Sequence, residues 1–212
     1  MNISPYNACD YRCDRCLETE RCKVFQMETE REARNFALGR ETNGIEAALR
    51  DVGEIFAETK ELLLEKAKEF DIDLEEFADA GPDDIFKEAK KDPLYRWSFD
   101  FTMKTHAFLK KAEPVITPGD KEFFDDIGWH HTIVPAKVFR ATGSEDEPEM
   151  RFDSVNSAAV AMKSLTICIM AFDTLASHYP DLSGECEELS EMAKGIKQAL
   201  RERFAPNGKK NE

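Results

Sequence analysis

From Ile45 onwards the apolar residues of this chain recur every three or four positions, and nowhere do they alternate every second residue over the length of a strand. A helix turns once every 3.6 residues, so this spacing gathers them on one face; it admits helices packed stripe to stripe and excludes a sheet. Ile45, Ala48, Leu49, Val52, Ile55, Phe56, Thr59, Leu62, Leu63, Ala67 and Phe70 form one broad stripe over residues 45–70, with charges on the other face. Gly39, Asn43 and Gly44 separate it from a short polar helix at 28–38. Asp71 or Asp73 caps a short helix to about 78, and Gly81-Pro82 divides it from another at 83–90.

Asp92-Pro93 is an N-cap followed by proline at the first helical position, and it opens a second long helix to about 112 with Trp97, Phe101, Phe108 and Leu109 inward. Pro114 ends it, and Thr117-Pro118 repeats the start signal for a third long helix to about 141, in which Pro135 removes one backbone hydrogen bond and introduces a kink. An acidic loop at 143–151 follows. Asp153 or Ser154 then caps a fourth helix to about 179 that is apolar nearly all round, which makes it the central element. The last helix, 182–204, carries only the thin stripe Leu189, Met192, Ile196 and Leu200, and belongs at the periphery. The expected fold is all-α: an antiparallel bundle of four to five long helices over residues 28–204, a metal-binding segment at 1–27 and a disordered tail at 205–212.

Four of the six cysteines, Cys9, Cys13, Cys16 and Cys22, fall in one short segment with the spacing C-x3-C-x2-C-x5-C. Cysteine is scarce, and thiols at this density suit a metal coordination sphere better than a disulfide framework. Structural zinc most often draws its four thiolates as two separated pairs. A single compact loop favours a 4Fe–4S cluster; the alternative is zinc, which would make the chain a zinc-stabilised helical protein-interaction module. Cys168 lies within the apolar run SLTICIMAF and reads as a small buried hydrophobe; Cys186 reads as inert as well.

Cys9, Cys13 and Cys16 resemble the C-x3-C-x2-C trio of radical S-adenosylmethionine enzymes, and Cys13, Cys16 and Cys22 resemble the C-x2-C-x5-C that closes the iron–sulfur loop of helix-hairpin-helix DNA glycosylases. Both resemblances imply a cubane cluster. They stop there, because the radical enzymes need an open iron corner and a β/α barrel, and the glycosylases need a basic surface. The whole pattern is similar to that of uncharacterised bacterial proteins that open with C-x3-C-x2-C-x5-C and continue as helices, a resemblance that implies no activity. A cluster ligated at all four corners moves electrons, senses oxidants or holds the fold. Charges around the cysteines nearly balance, and Tyr6, Tyr11, Leu17, Val24 and Phe25 are the expected contacts that seat the loop.

With 29 basic against 43 acidic side chains the formal charge is −14, which repels phosphate backbones and leaves a protein or electron-transfer partner rather than nucleic acid. The longest apolar run is shorter than the roughly 20 residues that cross a bilayer, and the N-terminus has no basic stretch followed by an apolar one. A soluble, cytoplasmic protein with no membrane partner is expected. Polar residues also interrupt the apolar faces. His131 continues the stripe of Phe124, Ile127, Val134 and Val138, with His130 about 100° round the helix from it. His106, His131, Lys137, Lys163 and Asp173 define a candidate inter-helix pocket for an enzyme or ligand-binding protein, with Asp125, Asp126 and Asp173 as natural partners of the two lysines. No E-x-x-H pair of the ferritin di-iron type occurs.

Overall fold

The computed structural model describes residues 9–42, 44–74, 91–143 and 149–204. Their regular structure is all helical, with no strand among them. They fall into two units, Cys13–Asp83 and the combination of Met1–Arg12 with Asp84–Glu212. The expected helices at 71–78 and 83–90, most of the acidic loop, and the tail lie largely or wholly outside the described residues.

The first unit holds α1 (Lys23–Ala37) and α2 (Ile45–Glu69), preceded by single turns at Cys13–Arg15 and Thr19–Arg21. α1 ends in a Schellman motif: the Arg40 amide bonds the Asn35 carbonyl at 2.9 Å, and Gly39 takes the left-handed conformation (φ 66°) that this closure needs. The chain then turns back, and polar contacts join the two helices. Asn35, buried, donates to both carboxylate oxygens of Asp51 at 3.1 Å, Arg31 meets Glu58 at 3.0 Å and Arg40 meets Glu54 at 2.8 Å. The apolar stripe of α2 is legible as expected, but apart from Ala67 it stays exposed.

The second unit is a four-helix antiparallel bundle of α3 (Pro93–Ala112), α4 (Lys121–Gly143), α5 (Arg151–His178) and α6 (Ser183–Phe204). Asp92 caps α3 as its sequence implies, its Oδ1 accepting from the Leu94 and Tyr95 amides at 2.8 and 3.1 Å, and its Oδ2 meets Arg203 at 2.9 Å. Among the described residues its core is drawn from 94–204, and its central side chains, such as Phe101, Ile127, Leu165, Phe172 and Ile196, are fully buried. Phe172 stands edge-on to both Phe101 and Phe108, with ring centroids 6.4 and 5.7 Å apart.

α5 is the best-contacted element, packed by α4 on one side and α6 on the other, as its all-round apolarity implies. By length and composition it would also pass for a membrane span; in the bundle its buried face includes Ser154, Ser157 and Ser164. Three details differ from the sequence reading. α5 starts at Arg151, because Asp153 forms a two-pronged pair with Arg140 at 2.6 and 2.7 Å instead of capping the helix. α6 is a full wall of the bundle, since small residues with little hydropathic signal, Cys186, Ser190 and Ala193, complete its buried face beside the thin leucine stripe. Trp97, expected inward, is partly exposed and lays its ring across Gly195 of α6.

Candidate metal centre

Residues 9–12 lie on the α4–α5 face of the bundle and are fixed there by side chains of both helices. Trp129 Nε1 donates to the Asp10 carbonyl oxygen at 2.8 Å, Lys163 forms an ion pair with the Asp10 carboxylate, and Arg12 meets Asp126 at 3.0 Å with its guanidinium over the Trp129 ring. Tyr11 stands in the left-handed region at φ 59°, a conformation that costs a β-carbon-bearing residue about 1–2 kcal/mol and concentrates at functional sites. The kink turns its amide onto the Cys9 sulfur at 3.3 Å.

The same local device recurs at Cys16, whose sulfur accepts the Glu18 amide at 3.4 Å. Cys16 is also tied back by its own amide to the Cys13 carbonyl at 3.3 Å, and Cys22 serves as the N-cap residue of α1. None of the six cysteines is in a disulfide. Backbone N–H groups directed at sulfur stabilise thiolate and are among the levers that set a cluster's potential. The donor set therefore fits the chemistry of a thiolate-bound metal. Among the described residues, however, no three His, Cys, Asp or Glu side chains are gathered round one metal-sized space.

Lys137 sits in the same region, 8% exposed, with its ammonium over the Tyr11 ring at 5.7 Å and no described carboxylate in ion-pair distance. Burial holds its pKa below the ordinary lysine value, Arg140 adds to this, and the charges of Cys9, Asp153 and Asp10 oppose it. The expected Lys–Asp network is thus replaced: Asp10, which is 153 residues away in sequence, takes Lys163, and Asp126 takes Arg12. Burial pushes the Asp10 carboxyl up, but the Lys163 ammonium and the Arg12 amide outweigh it and hold it below the usual range.

Both adjacent histidines are buried, because α4 is flanked on two sides. His131 faces α3, its Nδ1 donating to the Ile127 carbonyl at 2.9 Å and its ring stacked on His106 at 6.2 Å. His130, which the sequence placed off the inward stripe, faces α5, with Nδ1 3.2 Å from the Ser164 hydroxyl. Burial keeps both below the ordinary histidine pKa. Of the five pocket candidates, the structure brings together His106 and His131. Lys137 and Lys163 serve the N-terminal segment, and Asp173 accepts from Ser190 at 2.7 Å. Of the expected seating residues, Tyr11 makes contact, Leu17 is 97% exposed, Val24 is exposed, and Tyr6 lies outside the described residues. Compared with known proteins, the chain matches no family model, no curated protein and no solved structure.

Proposed function

We propose that residues 9–22 bind a metal centre through the thiolates of Cys9, Cys13, Cys16 and Cys22, that this centre is a 4Fe–4S cluster, and that the protein transfers electrons or senses oxidants. The observation that carries the reading is the pair of N–H···S turns at Cys9 and Cys16, which prepare two of four closely spaced cysteines, none of them in a disulfide, to act as anionic ligands. Lys137 supports it: a buried ammonium with no carboxylate partner among the described residues is costly, and the negative charge of a metal–thiolate unit offsets that cost. The α3–α6 bundle is the scaffold. Exposed Cys16 and Leu17 leave the loop open to a protein partner that donates or accepts an electron.

Single Cys→Ser substitutions test the ligand set. Each of Cys9→Ser, Cys13→Ser, Cys16→Ser and Cys22→Ser should lose bound metal, while Cys168→Ser and Cys186→Ser should retain the wild-type content. Stoichiometric metal in Cys22→Ser removes that residue from the set, and equal content in all six variants refutes the site.

A further inference from the structure

We infer that α2 is a dimerisation helix, which pairs antiparallel with α2 of a second copy of this chain through the seam between Ile45 and Leu63. Along α2, Ile45, Leu49, Val52, Phe56, Thr59, Leu63, Lys66 and Phe70 follow one another at alternating steps of four and three residues. That is the 3.5-residue period of the a and d positions in a left-handed coiled coil. The seam is open to solvent, with Ile45 77%, Leu49 65% and Phe56 71% exposed. α1 packs on the other side of α2: its described contacts with α2, from Arg31, Arg34 and Asn35, go to Asp51, Glu54 and Glu58, on the far side of the helix from the seam.

The flanking positions choose the orientation. Glu46, Gly53 and Lys60 line one side of the seam, and Ala48, Ile55 and Leu62 the other. A parallel pair would set Lys60 against an apolar residue of the opposite row. An antiparallel pair sets each row against itself. In the register that opposes Phe56 to the partner's Val52, Leu49 to the partner's Thr59 and Ile45 to the partner's Leu63, four further matches follow without adjustment. Glu46 meets the partner's Lys60 on both sides of the two-fold, Gly53 meets the partner's Gly53 where the backbones approach most closely, and Ile55 meets the partner's Ile55. Ala48 meets the partner's Leu62. Glu46 and Lys60 are exposed and have no described partner within their own chain. Lys66, the one charge in the seam, falls beyond the overlap and pairs with Glu69.

The extent is also adequate. Seven large apolar side chains of the seam and its flank are exposed, and together they offer on the order of 800 Å² per chain, one side of a standard protein–protein interface. The overlap is isologous, so it closes at two chains.

Sedimentation velocity on the full reduced chain at micromolar concentration is the test. The wild type should be a dimer. Phe56→Glu should be a monomer with an unchanged melt of the α3–α6 bundle, whose core contains no α2 residue. Glu46→Lys should weaken the dimer at least tenfold, and adding Lys60→Glu to it should restore the affinity; Lys66→Glu should leave it unchanged. A wild type that stays monomeric, a dimer that survives Phe56→Glu, or a double variant no tighter than Glu46→Lys overturns the proposal.

Discussion

Alanine at position 195 probes the packing of the bundle at one atom. Gly195 lies in α6 beneath Trp97 of α3, and a β-carbon there would stand 2.5 Å from one ring carbon, 2.7 Å from a second and 3.7 Å from a third. Ordinary contact begins near 3.4 Å, so the ring must withdraw by roughly 1 Å against steep repulsion. Trp97 is partly exposed and can move, which keeps the overpacking cost within about 1–3 kcal/mol. Replacing a mid-helix glycine by alanine returns about 1 kcal/mol. The net expectation for Gly195→Ala is a loss of roughly 1 kcal/mol. In a Trp97→Ala background the clash is gone and the sign reverses: alanine at 195 should then stabilise by about 1 kcal/mol, a coupling of roughly 2 kcal/mol across the cycle. Urea unfolding followed by far-ultraviolet circular dichroism measures all four corners. If Gly195→Ala stabilises the wild type as much as it stabilises Trp97→Ala, the ring does not lie over the glycine and the α3–α6 contact is misdescribed.

Deleting residues 1–27 should leave α3–α6 cooperatively folded, because the core lies within residues 94–204. The loss should be about 1–2 kcal/mol from removing the Asp10–Lys163 and Arg12–Asp126 ion pairs; a molten product would show that the segment is part of the core. Thiol labelling of the metal-free native protein should modify the four N-terminal cysteines and spare the others. Burial pushes Cys186 up to about 11 and Cys168 further still, so both should react only on unfolding. Stability should fall as pH drops through 6.5, since His130 and His131 are buried with lowered pKa values and the unfolded chain takes up protons first. Asp10 adds a second loss below 3.8, where the unfolded chain again protonates first. A melting temperature that is flat from pH 8 to 5 contradicts the buried, neutral histidines.

Local signals read well from the residues. Asp92-Pro93 started α3 where the cap bonds are found, the all-round apolarity of α5 put it at the centre, and the stripe through Phe124, Ile127 and Val134 carried His131 inward. What failed to show was contact across long sequence separation. Nothing near Lys163 points to Asp10, and nothing near Asp126 points to Arg12, so the seating of the N-terminal segment on α4 and α5 is visible only in the fold. α6 was underrated for a different reason: Cys186, Ser190 and Ala193 fill a close helix–helix approach by being small, and small residues register weakly in hydropathy. The stripe on α2 was plain in the sequence while its occupant was not, because a helix that packs on another chain and one that packs on its own look the same.

The central claim, a four-cysteine iron–sulfur segment carried by a helical bundle, is tested most directly by an absorption spectrum with iron, sulfide and zinc analysis on protein purified without oxygen. The account predicts a brown protein with a broad band near about 400 nm and roughly four irons per chain. A colourless protein with about one zinc would contradict the redox reading and make the cysteine segment a structural clasp, and a chain with neither metal would contradict the site itself.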